Sequence, residues 1–187
     1  MSNERNWNDF CGKRRVVRNA TIIVQRYTPN WASHIPILTR IMQVSTGPVM
    51  ECGIGIHSTP LLHTFCWEQK RKLFSYEDDE MWYKKHWAWV NEYHSIEFIT
   101  DWNMLPIEKQ HWGVIFIDHD GERRAIDAIR AAQYADYVIL HDSNGRYEFN
   151  YHYEKVYPFF KYRYIYNKMP NHTTVLSNFI PVDKLWI

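Results

Sequence analysis

Residues 48–58 have the sequence PVMECGIGIHS, in which a short apolar run ends in an acid and two closely spaced glycines. Glycine lets the backbone turn tightly and approach a ligand that a side chain would obstruct. Ser58, just beyond the glycines, is of a residue type that caps helices. The stretch therefore predicts a strand, a tight turn at Gly53 and Gly55, and a helix. A simple tight turn that binds no ligand is the alternative.

Apolar runs and amphipathic segments alternate along the rest of the chain. The runs 114–118 and 137–141 are continuous, as expected for a parallel sheet covered on both faces. Strands are predicted at 48–53, 73–77, 95–100, 114–118, 137–141, 162–166 and 173–176, and helices through 37–42 (capped by Ser33), 58–67, 79–93, 122–134 and 148–158. Five strand–helix alternations and a closing hairpin predict an α/β sandwich with a mostly parallel seven-stranded sheet and a C-terminal antiparallel hairpin.

The composition is that of a folded domain with a nearly neutral surface. The chain has 187 residues, of which 45% are hydrophobic, so it can form a core. Lys and Arg number 22 and Asp and Glu 21, a balance that disfavours nucleic acid as a partner. We predict a single domain over 1–187, with an N-terminal arm and helix over 1–47 and a catalytic core over 48–187. The arm could cover the site or build a homo-oligomer.

Three sequence features bear on the cellular compartment. No apolar run is long enough to cross a bilayer, so no membrane partner is expected. The polar N-terminus carries no secretory signal, and Cys11, Cys52 and Cys66 form no paired framework. We therefore expect a reduced, cytoplasmic setting.

Acidic residues follow the second and third predicted strands. Glu77 ends the second strand, where a carboxylate can accept hydrogen bonds from both ribose hydroxyls of an adenosine-type ligand. Asp78 is the alternative holder of the ribose, and favourable charge at a helix N-terminus is the alternative role of Glu77. Asp101 and Trp102 could hold an adenine ring by a hydrogen bond and stacking, although Trp102 could equally pack in the core.

The order of these motifs resembles that of the class I S-adenosylmethionine-dependent methyltransferases. An acid, GxG and a helix-capping residue precede an acid that ends the second strand, and a hairpin follows the fifth. The resemblance implies a Rossmann-like methyltransferase sandwich, S-adenosylmethionine as cofactor, and donor contacts from Glu51, Gly53, Gly55, Ser58 and Glu77. A dinucleotide dehydrogenase matches less well, because the third glycine of GxGxxG is missing.

Three stretches resemble the glucuronoxylan O-methyltransferase-like proteins within that superfamily. They are residues 53–58, 74–83 and 138–148, and the resemblance spans roughly 48–178. It implies O-methylation, and the near-neutral charge favours a small-molecule or carbohydrate-like acceptor.

Acids and histidines follow the fourth and fifth predicted strands. Asp118 and His119 end one strand, and His141 and Asp142 end the next. Both ends fall at the same edge of the sheet, where methyltransferases hold the acceptor. Imidazole titrates near neutral pH, so His119 or His141 is a candidate catalytic base for an acceptor hydroxyl. Asp118 could do the same or orient the histidine.

Asp118, Asp142 and Asn144 also carry the oxygen ligands that divalent cations prefer. They resemble the acids of metal-dependent O-methyltransferases, which implies a site for Mg²⁺, Mn²⁺ or Co²⁺. In that family Asn directly follows the second acid, whereas Ser143 intervenes here. The alternatives are that Asp118 caps the next helix and that 142–145 form a turn.

Two other functions stay open at this point. One is a non-catalytic binding or assembly module with the same fold. The other is different chemistry on S-adenosylmethionine or on a nicotinamide nucleotide.

The positions of the aromatic and basic residues along the predicted elements indicate where each group lies. Trp82, Trp89 and Tyr93 share one helix face and are expected in the core. The aromatic run over 147–160 is expected at the mouth of the site. Arg123 and Arg124 are expected at a solvated helix start, and closure over an acidic substrate is the alternative.

Overall fold

A computed structural model describes residues 15–17, 20–22, 30–119, 121–183 and 185–186. Its strands are β1 (Arg15–Val17), β2 (Ala20–Ile22), β3 (Val49–Cys52), β4 (Leu73–Glu77), β5 (His94–Phe98), β6 (Trp112–Ile117), β7 (Ala135–Leu140), β8 (Tyr162–Tyr166) and β9 (Thr173–Ser177). Its α-helices are α1 (Ile35–Val44), α2 (Ser58–Gln69), α3 (Glu80–His86), α4 (Gly121–Ala131), α5 (Gly145–Asn150) and α6 (Tyr153–Val156). β1 and β2 pair separately as a short antiparallel hairpin.

The remaining seven strands form one sheet in the order β5-β4-β3-β6-β7-β9-β8. β3 to β7 run parallel to one another, and β9 runs antiparallel to both β7 and β8. The predicted mostly parallel seven-stranded sheet with a C-terminal antiparallel hairpin is confirmed. β3 lies between β4 and β6, so the order reverses beside the glycine turn, where open α/β sheets bind ligands.

Helices cover both faces of the sheet. Successive residues of β6 point to opposite faces: Val114 and Phe116 pack with α1 and α2, while Ile115 and Ile117 pack with α4. All six residues of β6 are buried, which explains why its sequence is continuously apolar. No helix in the described residues is both long enough and apolar enough to span a membrane.

The helix predicted over 79–93 is shorter than its sequence pattern indicated. Asp79 caps α3 by accepting the backbone N–H groups of Met81 and Trp82, and α3 gives way to a single 3₁₀ turn at Trp87–Trp89. The Asn91 side chain then accepts two backbone N–H groups, from Tyr93 and His94, and this turn ends the helical path.

The expected core stripe on that helix is therefore wrong. Trp82, Trp89 and Tyr93 are only half-buried, since the chain leaves the helix before they can share one face.

The helix predicted over 148–158 is divided. α5 ends at Asn150, and His152 takes a left-handed conformation (φ 55°) that breaks the helix before α6 begins at Tyr153. None of the aromatic residues in the run over 147–160 lines the site pocket described below.

Two expected helix caps are also wrong. His34, not Ser33, precedes the first residue of α1, and the hydroxyl of Ser33 bonds elsewhere. Pro36 in the first turn lacks an N–H, which reduces the number of donors that a cap would satisfy. Ser58 is the first helical residue of α2, after His57.

Candidate functional site

The glycine turn after β3 packs directly against the end of β6. Gly53 has a left-handed φ of +91°, and a Cβ there would lie 2.7 Å from the carbonyl oxygen of Asp118 and from the nitrogen of His119. Only glycine fits both the conformation and the space. The turn therefore brings residues 53–55 beside the acid that ends β6.

Glu51 supports this turn from below. It is fully buried, and its carboxylate accepts hydrogen bonds from the hydroxyls of Ser75 (2.6 Å) and Thr59 (2.9 Å). Thr59 in turn accepts the backbone N–H of Gly55 at 3.0 Å. Burial raises the pKa of Glu51 to about 7, although these hydroxyls favour its charged form. The donor contact predicted for Glu51 stays a prediction; the observed link to the turn runs through Thr59.

Glu77 connects the glycine turn to the loop after β4. One carboxylate oxygen accepts the N–H of Ile54 at 2.9 Å, and the other accepts the N–H groups of Asp78 and Asp79. The side chain is buried, and burial raises its pKa in spite of these three hydrogen bonds. Glu77 thus lies beside the turn, as the sequence predicted, with its oxygens engaged by backbone groups.

Asp78 and Trp102 meet across two loops. The indole N–H of Trp102 donates to Asp78 at 2.9 Å, and Trp102 is buried with its ring 4.3 Å from the ring of His119. Asp101 is exposed and accepts the N–H of Asn103, which caps a 3₁₀ turn. The structure brings Asp78 and Trp102 together and leaves Asp101 as a cap.

A pocket of about 260 Å³ opens at the carboxyl edge of the sheet, and we call it the site pocket. It is lined by Trp31, His34, Ile54, Gly55, Ile56, His57, Trp82, Asp118, His141 and Asp142. It thus joins the glycine turn to the acids and histidine that follow β6 and β7. Both strand ends meet here, as the sequence predicted.

Asp118 and His141 form the polar centre of the site pocket. Nδ1 of His141 lies 3.1 Å from both carboxylate oxygens of Asp118, and Nε2 lies 2.8 Å from Oγ of Ser33. Burial opposes charge on both partners, but their mutual attraction outweighs it. The pKa of Asp118 is therefore held below its ordinary value and that of His141 above it.

Arg124 holds Asp118 from the other side. Its guanidinium lies 2.9 Å from the Asp118 carboxylate, donates to the carbonyl oxygens of Asp118 and His119, and stacks 4.3 Å from the ring of Tyr151. Arg124 is buried, so the expectation of a solvated helix start is wrong for it. The carboxylate that follows β6 sets the position of this arginine, and helix periodicity does not report that contact.

His119 lies apart from Asp118 and His141. Its side chain is fully buried, and Nε2 lies 3.0 Å from Asp127, a buried acid that Arg123 and Arg130 also contact. The hydrogen bond from His119 helps to hold the pKa of Asp127 below its ordinary value, against the effect of burial. His119 does not line the site pocket, and its catalytic role stays a prediction.

The residues after β7 form a turn against the C-terminal hairpin. Asp142 has a left-handed φ of 53° and accepts a hydrogen bond from Asn171. Asn144 uses both ends of its amide, accepting the N–H of His172 at 3.0 Å and donating to the carbonyl of Pro170. These contacts form the turn that was the alternative for residues 142–145, and the metal site predicted from Asp118, Asp142 and Asn144 stays a prediction.

Sequence reasoning missed Ser33 and His34. Both are buried, and both come from the loop that enters α1, more than a hundred residues before His141. The ring of His34 packs 4.6 Å from that of His141 and 5.1 Å from that of Phe116, and burial lowers its pKa to about 3. No local pattern around Ser33-His34 signals these contacts.

Comparison with solved structures finds this architecture in methyltransferases. The N-terminal domain of human METTL16 in complex with SAH aligns with a TM-score of 0.59 at 11% identity, over 84% of this chain and 73% of that one. An O-methyltransferase from Bacillus cereus in complex with SAH gives 0.56 at 13% identity, over 82% of each chain. The fold is that of the class I methyltransferases.

A third solved structure shares this methyltransferase fold. The N-terminal domain of EvdMO1, in the presence of SAH and D-fucose, has a TM-score of 0.54 at 8% identity, over 87% of this chain and 88% of that one. The sequence matches no family model and no curated protein sequence.

Proposed function

We propose that this protein is an S-adenosylmethionine-dependent methyltransferase that methylates an oxygen atom of a small or carbohydrate-like acceptor. The single observation that carries the proposal is the site pocket, which places the glycine turn beside Asp118 and His141 at the sheet edge. The shared fold of proteins crystallised with SAH, the demethylated product of this cofactor, supports it.

The donor side of the pocket is formed by the turn after β3. Gly53 and Gly55 allow the turn to pack tightly against Asp118 and Ser58, and Gly55 lines the pocket, where the cofactor would approach its backbone. Glu77 and Asp78, at the adjacent strand end, would contact the ribose, and Trp102 would lie beside the adenine. The glycine turn is held from inside the protein by a chain of hydrogen bonds that runs from Ser75 to Glu51, from Glu51 to Thr59, and from Thr59 to the N–H of Gly55.

The acceptor side is formed by Asp118 and His141. An acceptor hydroxyl that donates a hydrogen bond to Asp118 would have its oxygen aligned toward the methyl group. S-adenosylmethionine would supply the methyl group, with its carbon–sulfur bond breaking as the oxygen–carbon bond forms and the electron pair of the broken bond staying on sulfur. The carboxylate of Asp118 would take the hydroxyl proton, while His141 holds that carboxylate in position. Arg124 and Ser33 hold this pair in place.

The net charge and the related folds support the proposed acceptor class. The chain has a formal net charge of only +1, which offers little attraction for a polyanion. One similar structure is named as an O-methyltransferase, and another contains D-fucose beside SAH. Both observations support a hydroxyl of a small molecule or sugar.

The test is formation of SAH from S-adenosylmethionine with a panel of monosaccharides, glycosides and phenols. The proposal expects turnover with at least one hydroxyl acceptor and none with its O-methylated form. Asp118→Asn should abolish turnover, and Asp136→Asn, at an acid on β7 outside the pocket, should not. SAH bound without turnover on any acceptor would favour a non-catalytic binding module instead.

A further inference from the structure

Three metal-ligating side chains converge in the site pocket. One ligand atom each from His34, Asp118 and His141 lies within 4.8 Å of the other two. Both histidines are buried, and the carboxylate is about one-fifth exposed, with a side-chain exposure of 21%. All three line the pocket. The set differs from the oxygen ligands that the sequence predicted, since it is built on two imidazoles.

The ring nitrogens of His34 are buried without a hydrogen-bond partner among the described residues. The residue is only 2% exposed. Burying an imidazole without hydrogen bonds destabilises a fold by a few kcal/mol or less, so such groups are rare without a ligand. The ring lies beside His141 and against the pocket, where an ion would meet its nitrogen.

The hydrogen bonds around His141 leave its Nδ1 facing the carboxylate of Asp118. The Ser33 hydroxyl has one proton, which it donates to the carbonyl oxygen of Asn30 at 3.0 Å. Nε2 of His141 must therefore be the donor in its 2.8 Å contact with Ser33. Nδ1 of His141 faces the carboxylate of Asp118 at 3.1 Å, so either the Nδ1 proton of an imidazolium or a metal ion must lie between these two groups, and titration with metal ions distinguishes the two.

We propose that His34, Asp118 and His141 bind one divalent first-row transition metal ion in the site pocket. Two imidazoles and one carboxylate suit ions such as Zn²⁺, Co²⁺ or Fe²⁺, whereas Mg²⁺ prefers oxygen ligands throughout. Bonds of about 2.1 Å place donor atoms roughly 3.4–4.2 Å apart, so small side-chain rotations close the observed spread. The pocket leaves room for an oxygen ligand on the ion, which would act as a Lewis acid toward it.

Two residues next to the proposed metal ligands hold those ligands in position. Ser33 fixes the tautomer of His141, and Arg124 contacts one oxygen of Asp118, whose carboxylate has further lone pairs to offer. The proposal does not rest on methyl transfer, since metal binding and SAH binding are measured separately.

The experiment uses protein stripped with EDTA and then dialysed. Co²⁺ is titrated while its visible absorption is recorded, and Zn²⁺ and Mg²⁺ are titrated by calorimetry. We expect one equivalent of Co²⁺ or Zn²⁺ per chain with a Kd in the micromolar range or below, and no binding of Mg²⁺ at comparable concentrations. No binding of Co²⁺ and Zn²⁺, or binding in the millimolar range only, would overturn the proposal and leave an imidazolium–carboxylate pair.

Variants separate a metal ligand from a structural histidine. His34→Phe keeps a ring against Phe116 and removes both nitrogens, so the metal-free variant should melt no lower than the wild type, while its affinity for Co²⁺ falls about 100-fold or more. His57→Gln, in the same pocket but outside the cluster, should bind Co²⁺ within about threefold of wild type.

A surface histidine provides a second control for Co²⁺ binding. His111→Gln removes an exposed imidazole that pairs with Asp136 and should leave Co²⁺ binding unchanged. Wild-type affinity in His34→Phe, or its loss in His111→Gln, would refute the assignment. SAH binding in the same preparations reports on the proposed function independently.

Discussion

Replacing Glu51 by Gln should remove a large part of the pH dependence of stability. The carboxylate is fully buried at the end of β3, and burial raises its pKa from 4.5 to about 7. A carboxyl group with a raised folded-state pKa contributes full stability below pH 4.5 and loses that contribution as the pH rises through 7. At about 1.4 kcal/mol for each pH unit, the wild type loses about 3 kcal/mol that Glu51→Gln retains.

Urea denaturation followed by tryptophan fluorescence measures this difference at several pH values from 5 to 8. Other groups titrate in both proteins, so only the difference between the two unfolding free energies is interpreted. The Gln side chain keeps an acceptor and a donor for Ser75 and Thr59, which limits any change at pH 5. Glu97→Gln, at an exposed position on β5, is the matched control and should change stability by less than about 0.5 kcal/mol at every pH.

The reasoning is refuted if the stability difference between wild type and Glu51→Gln stays constant within about 1 kcal/mol from pH 5 to 8. Such a result would mean that Glu51 ionises in the folded protein as readily as in the unfolded chain.

Three further predictions concern the turn and the acceptor side. Gly53→Ala should destabilise the fold by about 3 kcal/mol or more, because the new Cβ would collide with the backbone at Asp118. The control is Gly145→Ala, which has φ +53° but open space around the new Cβ and should destabilise the fold by about 1 kcal/mol. Thermal melts compare the two variants. Thr59→Val should cost about 1–2 kcal/mol in urea denaturation and Thr59→Ser much less, because serine keeps the hydroxyl between Glu51 and the turn. Asp118→Asn should lower the methyl-transfer rate about 100-fold or more, with the Kd for SAH, measured by calorimetry, changed less than about threefold.

The sheet could be predicted from sequence because its strands are buried on both faces. The runs just before Asp118 and His141 are continuously apolar, so their positions and order follow from hydrophobicity and connection lengths alone. The meeting of Asp118 with His141 also follows, because parallel strands deliver their carboxyl ends to one edge.

Features that depend on single side chains, such as the ends of helices, could not be predicted from hydrophobicity. Asn91 ends the helical path after α3 through two side-chain hydrogen bonds, and His152 divides the next helical segment by its left-handed backbone. Neither changes the hydrophobic period on which the helix predictions relied. Ser33 and His34 reach the site only through the tertiary packing of α1, and spacing along the sequence carries no record of that contact.

The central claim is that the glycine turn and the neighbouring strand ends bind S-adenosylmethionine. Calorimetric titration of SAH into the purified full chain tests it most directly. We predict one binding site per chain with a Kd in the micromolar range, weakened at least tenfold in Gly55→Val, because a Cβ there would lie 2.8 Å from Oγ of Ser58 and would displace the turn that lines the pocket. The absence of binding heat with millimolar SAH, from protein shown to be folded by its melting curve, would contradict the account.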